Sequence, residues 1–140
     1  MVTIPALRTE LTTDPQGLGY AALIAAGADA ALADALNLVR AGIQVFRSDI
    51  EAWEILAATV KADWDALAAG DKQLYLAMVS AGRLDATSAS LRQMLGALFP
   101  AASPTRANLA AVGQRNGSRA QQLFGATVSV AHVATALRGA

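Results

Sequence analysis

What most limits the folds open to this chain is how closely it is punctuated. Gly, Pro and small polar residues of the kind that cap helices recur throughout, and no stretch of strand length shows clean alternation of apolar and polar residues. Helical spacing of apolar residues fills the intervals instead. The pattern predicts an all-α fold, a compact bundle of several short, crossing helices.

The pieces are predicted as follows. Thr3 and Pro5 open a first helix through Leu7 and Leu11, and Asp14-Pro15 reads as N-cap and first residue of a second, running toward Gly27. Asp29 caps a third, with Leu32, Leu36 and Val39 on one face until Gly42. Residues 42–47 favour an extended conformation but are too short to build a sheet alone. Ser48 and Glu51 form a capping box ahead of Ile50, Trp53, Leu56 and Val60. A piece over 63–69 precedes Gly70, and Asp71 caps a helix with Leu74, Met78 and Ala81 inward. Asp85 or Thr87 starts the next, burying Leu91, Met94 or Leu95, and Leu98, and Pro100 ends it. Ser103-Pro104 leads a helix to Gly113, Ser118 caps one to Gly125, and Ser129 caps 130–138, with Val128 placed to staple onto Val133.

A chain of 140 residues, 54% hydrophobic and only 16% charged, is expected to fold as one domain over 1–140. No internal repeat and no linker divides it. The mean hydropathy of +0.37 is high for a chain in water, although alanine inflates it, and points to apolar surface that meets another chain. The absence of cysteine excludes disulfides, thiolate metal sites and cysteine nucleophiles. The longest apolar stretch, 18–28, is broken by Gly and too short to span a bilayer, and the N-terminus lacks a basic segment followed by an apolar run, so no membrane association is expected.

Formal charge is zero, but it is divided. All eleven acids lie in 1–85, which carries −5, while residues 86–140 hold Arg92, Arg106, Arg115, Arg119 and Arg138 with no acid and carry +5. These five arginines are the candidate partner-contacting residues. One use for them is acidic-to-basic contact between neighbouring subunits, the head-to-tail geometry that closes rings. Another is phosphate contact, since 104–124 has room for a helix-turn-helix with Arg115 and Arg119 near its second helix. The isoelectric point near 6.5 argues against DNA. A third account is that the division is incidental and solvated.

No constellation points to catalysis. His132 is the sole histidine and has no carboxylate near it in sequence, and no metal-ligand spacing occurs, so catalytic, cofactor and metal sites are all expected to be absent. Gly17-Leu18-Gly19 lacks the preceding strand and third glycine of a phosphate loop. Trp53 and Trp64 sit among Glu51, Glu54, Asp63 and Asp65, which repel a nucleic-acid backbone, and Trp53 is expected in the core.

Two stretches carry a resemblance. Glu10-Leu11, Asp14-Pro15, Gly17-Leu18-Gly19-Tyr20 and Ala35-Leu36-Asn37 resemble the opening of small proteins encoded among the virion genes of tailed bacteriophages. Gly117-Ser118-Arg119-Ala120, Leu123-Phe124-Gly125 and 128–137 are similar to their close. Together they cover about a third of the chain. The resemblance implies a non-enzymatic structural protein of the virion, assembled in the bacterial host cytoplasm: a head-tail connector or neck component forming a ring, with partners among its own copies, portal, tail or capsid proteins. A capsid-associated cement protein and a DNA-binding helical regulator are the alternatives. Asp14, Pro15, Gly19, Tyr20, Ser118, Phe124 and Gly125 are its expected structural corners.

Overall fold

Local hydrogen bonds decide where several of the helices begin. In the computed structural model, which describes residues 1–139, the order is α1 (Ile4–Thr13), α2 (Tyr20–Ala25), α3 (Asp29–Asn37), β1 (Val39–Phe46), α4 (Ala52–Ala58), α5 (Lys61–Asp65), α6 (Ala69–Ser80), α7 (Ala89–Leu98), α8 (Pro104–Val112), β2 (Gln114–Ser118), α9 (Arg119–Phe124) and α10 (Val130–Arg138). The hydroxyls of Ser88, Ser103, Ser118 and Ser129 each accept the backbone N–H three residues on, satisfying a donor that the first helical turn leaves unpaired. At Ser118 and Ser129 the third residue, Gln121 or His132, accepts the cap residue's own N–H in return. Thr3 and Pro5 open α1 as expected.

The chain is mainly helical but not purely all-α. β1 and β2 pair as a two-stranded antiparallel ribbon. Of the stretch 42–47, too short to build a sheet alone, residues 42–46 are the end of a longer strand that begins at Val39 and finds its partner far downstream.

Contacts gather the chain into two compact units, where length argues for one domain over 1–140: Met1–Val45 with the chain from Asn116 onward, and Phe46–Arg115. The second unit is thus an insertion in the first, entered along β1 and left along β2.

The first unit closes around Leu7, Leu11, Tyr20, Leu32, Leu36, Val128 and Val133, all buried. Helices α1 and α3 both pack on α10, and α3 also meets α2 and α9. Leu32 and Leu36 lie one turn apart on the inward face of α3, so the expected stripe holds for these two. Val39 does not continue it, because the helix ends at Asn37 and Val39 is an exposed strand residue. Gly117 fits the ribbon for a steric reason: a Cβ there would lie 2.6 Å from both γ-carbons of Val45.

The second unit closes around Ile50, Ile55, Tyr75, Val79, Leu84 and Phe99. Ile50 and Leu84 exchange backbone hydrogen bonds as an isolated antiparallel bridge, and the Tyr75 and Phe99 rings meet edge to face at 5.4 Å. Thr105 is fully buried with both polar groups paired: its hydroxyl accepts from Val60 N–H, and its N–H donates to Asp63.

Several expected faces shift. The capping box belongs to Glu51 and Glu54, not to Ser48 and Glu51, and α4 accordingly buries Ile55 and Ala58. Trp53, two residues before Ile55, is rotated about 200° from it and is exposed, as is Leu56. Helix α6 starts at Ala69 with Gly70 inside it and buries Tyr75 and Val79, leaving Leu74 and Ala81 exposed and Met78 half-buried. The piece expected over 63–69 is α5, ending at Asp65. Ser88, rather than Asp85 or Thr87, caps α7, whose Leu91, Leu95 and Leu98 pack half-buried against the core while Met94 is exposed.

Candidate functional site

The charge division read along the chain disappears on folding. The first unit holds Arg8, Arg40, Arg119 and Arg138 with Glu10, Asp14, Asp29 and Asp34. In the second, Arg47, Lys61, Lys72, Arg83, Arg92, Arg106 and Arg115 accompany Asp49, Glu51, Glu54, Asp63, Asp65, Asp71 and Asp85. Each unit is formally neutral. The reason is topological: the two ends of the chain fold together, so C-terminal arginines meet N-terminal acids.

Arg119 shows this most fully. Its Nε and Nη2 donate to the two carboxylate oxygens of Glu10 at 2.7 and 2.8 Å, and both side chains are buried. Nη1 donates to Gln122. The Tyr20 hydroxyl donates to the same carboxylate at 3.3 Å. Burial pushes the Tyr20 phenol upward first, and the adjacent Glu10 charge adds to it, so this tyrosine stays protonated. Arg119 is therefore a core residue and not a surface contact.

Asp14 and Pro15 do not open a helix. Asp14 ends α1 in the left-handed conformation at φ 42°, and α2 begins only at Tyr20. From there the Asp14 carboxylate reaches forward to accept the N–H groups of Leu18, Gly19 and Tyr20, so it caps α2 from six residues back. The Gly17-Leu18-Gly19 segment thus encloses a carboxylate of its own chain. Asn37 makes a comparable link, donating to Val128 C=O at 2.7 Å and accepting from Val128 N–H at 2.8 Å. Phe124 packs half-buried on this core, and Gly125 ends α9 with φ 63°, a conformation that costs glycine little. The two stretches singled out at the chain's beginning and end thus both lie in the first unit.

Arg138 pairs with Asp29, holding that carboxyl below its ordinary value. His132 is the capping partner of Ser129, whose N–H donates to Nδ1. Arg115 lies in β2. Among the described residues no cluster of three His, Asp or Glu side chains is placed to hold a metal ion, and no helix is long and apolar enough to cross a membrane.

Arg92 and Arg106 differ from Arg119 and Arg138. Neither forms an ion pair among the described residues. Both stand at a cavity of about 190 Å³ within the second unit, walled by side chains that include Ile50, Ile55, Leu84, Leu91, Leu95 and Leu109. Arg92 lies over the Phe46 ring at 3.8 Å and donates through Nη1 to Ala86 C=O. Arg106 makes one long hydrogen bond, 3.5 Å, to Phe99 C=O. Its guanidinium rests on Gly96, where a Cβ would stand 3.2 Å from Nη2. The arginines were legible as cations without nearby acids, but the cavity depends on the packing of four separate segments.

The aromatic residues divide contrary to expectation. Trp53 is 68% exposed, whereas Trp64 packs half-buried near Tyr75 with Lys72 over its ring. Comparison with family models, with curated proteins and with solved structures finds no match to this chain.

Proposed function

We propose that this protein is a non-enzymatic structural component of a tailed-phage virion, a head-tail connector or neck subunit that assembles as a ring with its own copies and against portal or tail proteins. The observation that carries this reading is apolar surface left in water. Trp53 and Leu56 stand three residues apart on α4 and are 68% and 51% exposed. Leu74 and Leu76 are exposed on α6, which packs against α4. Large apolar side chains held in this way lower the free energy of association when a partner covers them. The resemblance of the first unit's scaffold residues to virion proteins supplies the setting.

With each unit formally neutral, association in this reading runs through apolar contact, and charge sorting has no part in it. Size-exclusion chromatography with light scattering tests it, on the protein alone and mixed with purified portal or tail-completion proteins. The expected result is an oligomer or a stable complex, lost in Trp53→Glu and Leu56→Glu. A monomer that associates with neither would count against the proposal, and binding to assembled capsids alone would move the protein to the capsid surface.

A further inference from the structure

We propose that the cavity of the second unit binds a small amphiphilic carboxylate, with a hydrocarbon body about the size of a benzene ring inside and its carboxylate held at the rim by Arg92 and Arg106. This stands apart from the assembly reading and uses different residues.

Size sets the body. Cavities of about 150 Å³ lined by Leu, Ile and Phe stay dry and take up a benzene-sized ring. The volume here, about 190 Å³, accommodates such a ring with a short linker. Most of the wall is apolar, with Arg92, Arg106 and Gln114 as its polar side chains, so the interior favours hydrocarbon.

The rim sets the charge. Arg92, Gly96 and Arg106 line both this cavity and an adjoining, more polar hollow, so they mark the border between an apolar interior and water. Arg92 is one helical turn before Gly96 on α7, and the Arg106 guanidinium lies against Gly96 itself. Two cations without an ion-pair partner among the described residues thus border the same cavity, and each keeps most of its N–H donors unused by the hydrogen bonds to Ala86 and Phe99. A planar carboxylate matches a guanidinium edge with two parallel hydrogen bonds, and either cation at the rim can offer that edge. Gly96 lets the Arg106 guanidinium lie close against α7, since a Cβ there would stand 3.2 Å from Nη2.

Isothermal titration calorimetry on the full chain tests the proposal with three probes: 3-phenylpropionate, its uncharged amide and phenyl phosphate. Saturable binding of 3-phenylpropionate is expected, with the amide weaker by about tenfold or more. Arg92→Gln and Arg106→Gln should each weaken the acid by about tenfold. Ala110→Trp, which puts bulk at the cavity wall, should abolish binding. Arg106 is exposed, so its variant keeps the fold, which circular dichroism verifies. Equal affinity for acid and amide, indifference to both arginine variants, or no saturable binding would each overturn the proposal. Tighter binding of phenyl phosphate would overturn the choice of carboxylate.

Discussion

The guanidinium of Arg119 and the carboxylate of Glu10, 109 positions apart in sequence, meet through two hydrogen bonds of 2.7 and 2.8 Å inside the first unit. This pair ties α1 to the start of α9 and supplies an acceptor for Tyr20. A charge buried so deeply depends on its partner.

Removing one member of the pair is therefore expected to cost more than removing both. Arg119→Met leaves Glu10 buried without its counter-ion and should destabilise the protein by about 3–5 kcal/mol. The Glu10→Leu/Arg119→Met double variant should recover a large part of that loss, less what Tyr20 forfeits. Urea unfolding of the two single variants and the double variant measures the coupling. Strictly additive effects would show that the pair does not act as a unit.

Acid should unfold the protein through carboxylates held below their ordinary range. At Asp14 burial pushes the carboxyl upward, but the N–H groups of Leu18, Gly19, Tyr20 and Gly17 together outweigh it and hold the value below 3.8. Arg138 lowers Asp29 and Arg47 lowers Glu54. In each case the unfolded state binds more protons, so the stabilisation is fully present above the ordinary values of 3.8 and 4.5 and is lost as pH falls through the folded ones. Asp14→Asn retains a residue that tolerates the left-handed conformation. It should be less stable than the parent at pH 7, with the gap closing toward about pH 2 in thermal melts.

Gly117→Ala should destabilise by about 1–3 kcal/mol, because the new methyl meets the branched Cβ of Val45 and not the end of a flexible chain. Combining it with Val45→Ala should restore part of the loss. A thermal shift assay on the two single variants and the pair is sufficient.

Asn37→Leu removes an amide that satisfies both backbone groups of Val128. Two partly buried groups lose their partners, and a loss of about 2–4 kcal/mol is expected. Asn37→Asp keeps the acceptor but not the donor and should fall between. Hydrogen exchange at the Val128 amide should quicken in Asn37→Leu. An unchanged rate there would mean that the amide is protected by something other than Asn37.

The arginines show how far function could be read ahead of structure. As a set free of local acids, Arg92, Arg106, Arg115, Arg119 and Arg138 suggested one basic surface. Folding separates them: Arg119 enters the core, Arg138 pairs with Asp29, and only Arg92 and Arg106 share a cavity rim. Trp53 was misplaced for a related reason, since the phase of α4 depends on Glu51 and Glu54 serving as its capping box.

By itself the sequence determined the features that close within three or four residues: the caps at Ser103, Ser118 and Ser129, the left-handed stop at Gly125, and hence much of the division into short helices. Such hydrogen bonds need no distant partner, so residue type and spacing reveal them. Only the tertiary structure decided that β1 is a strand, that Glu10 and Arg119 neutralise one another, that the chain gathers into two units, and that two arginines border an apolar cavity. Each of these joins side chains or strands far apart along the chain, and their meeting is set by which apolar faces pack together, a property of the whole fold and not of any local segment.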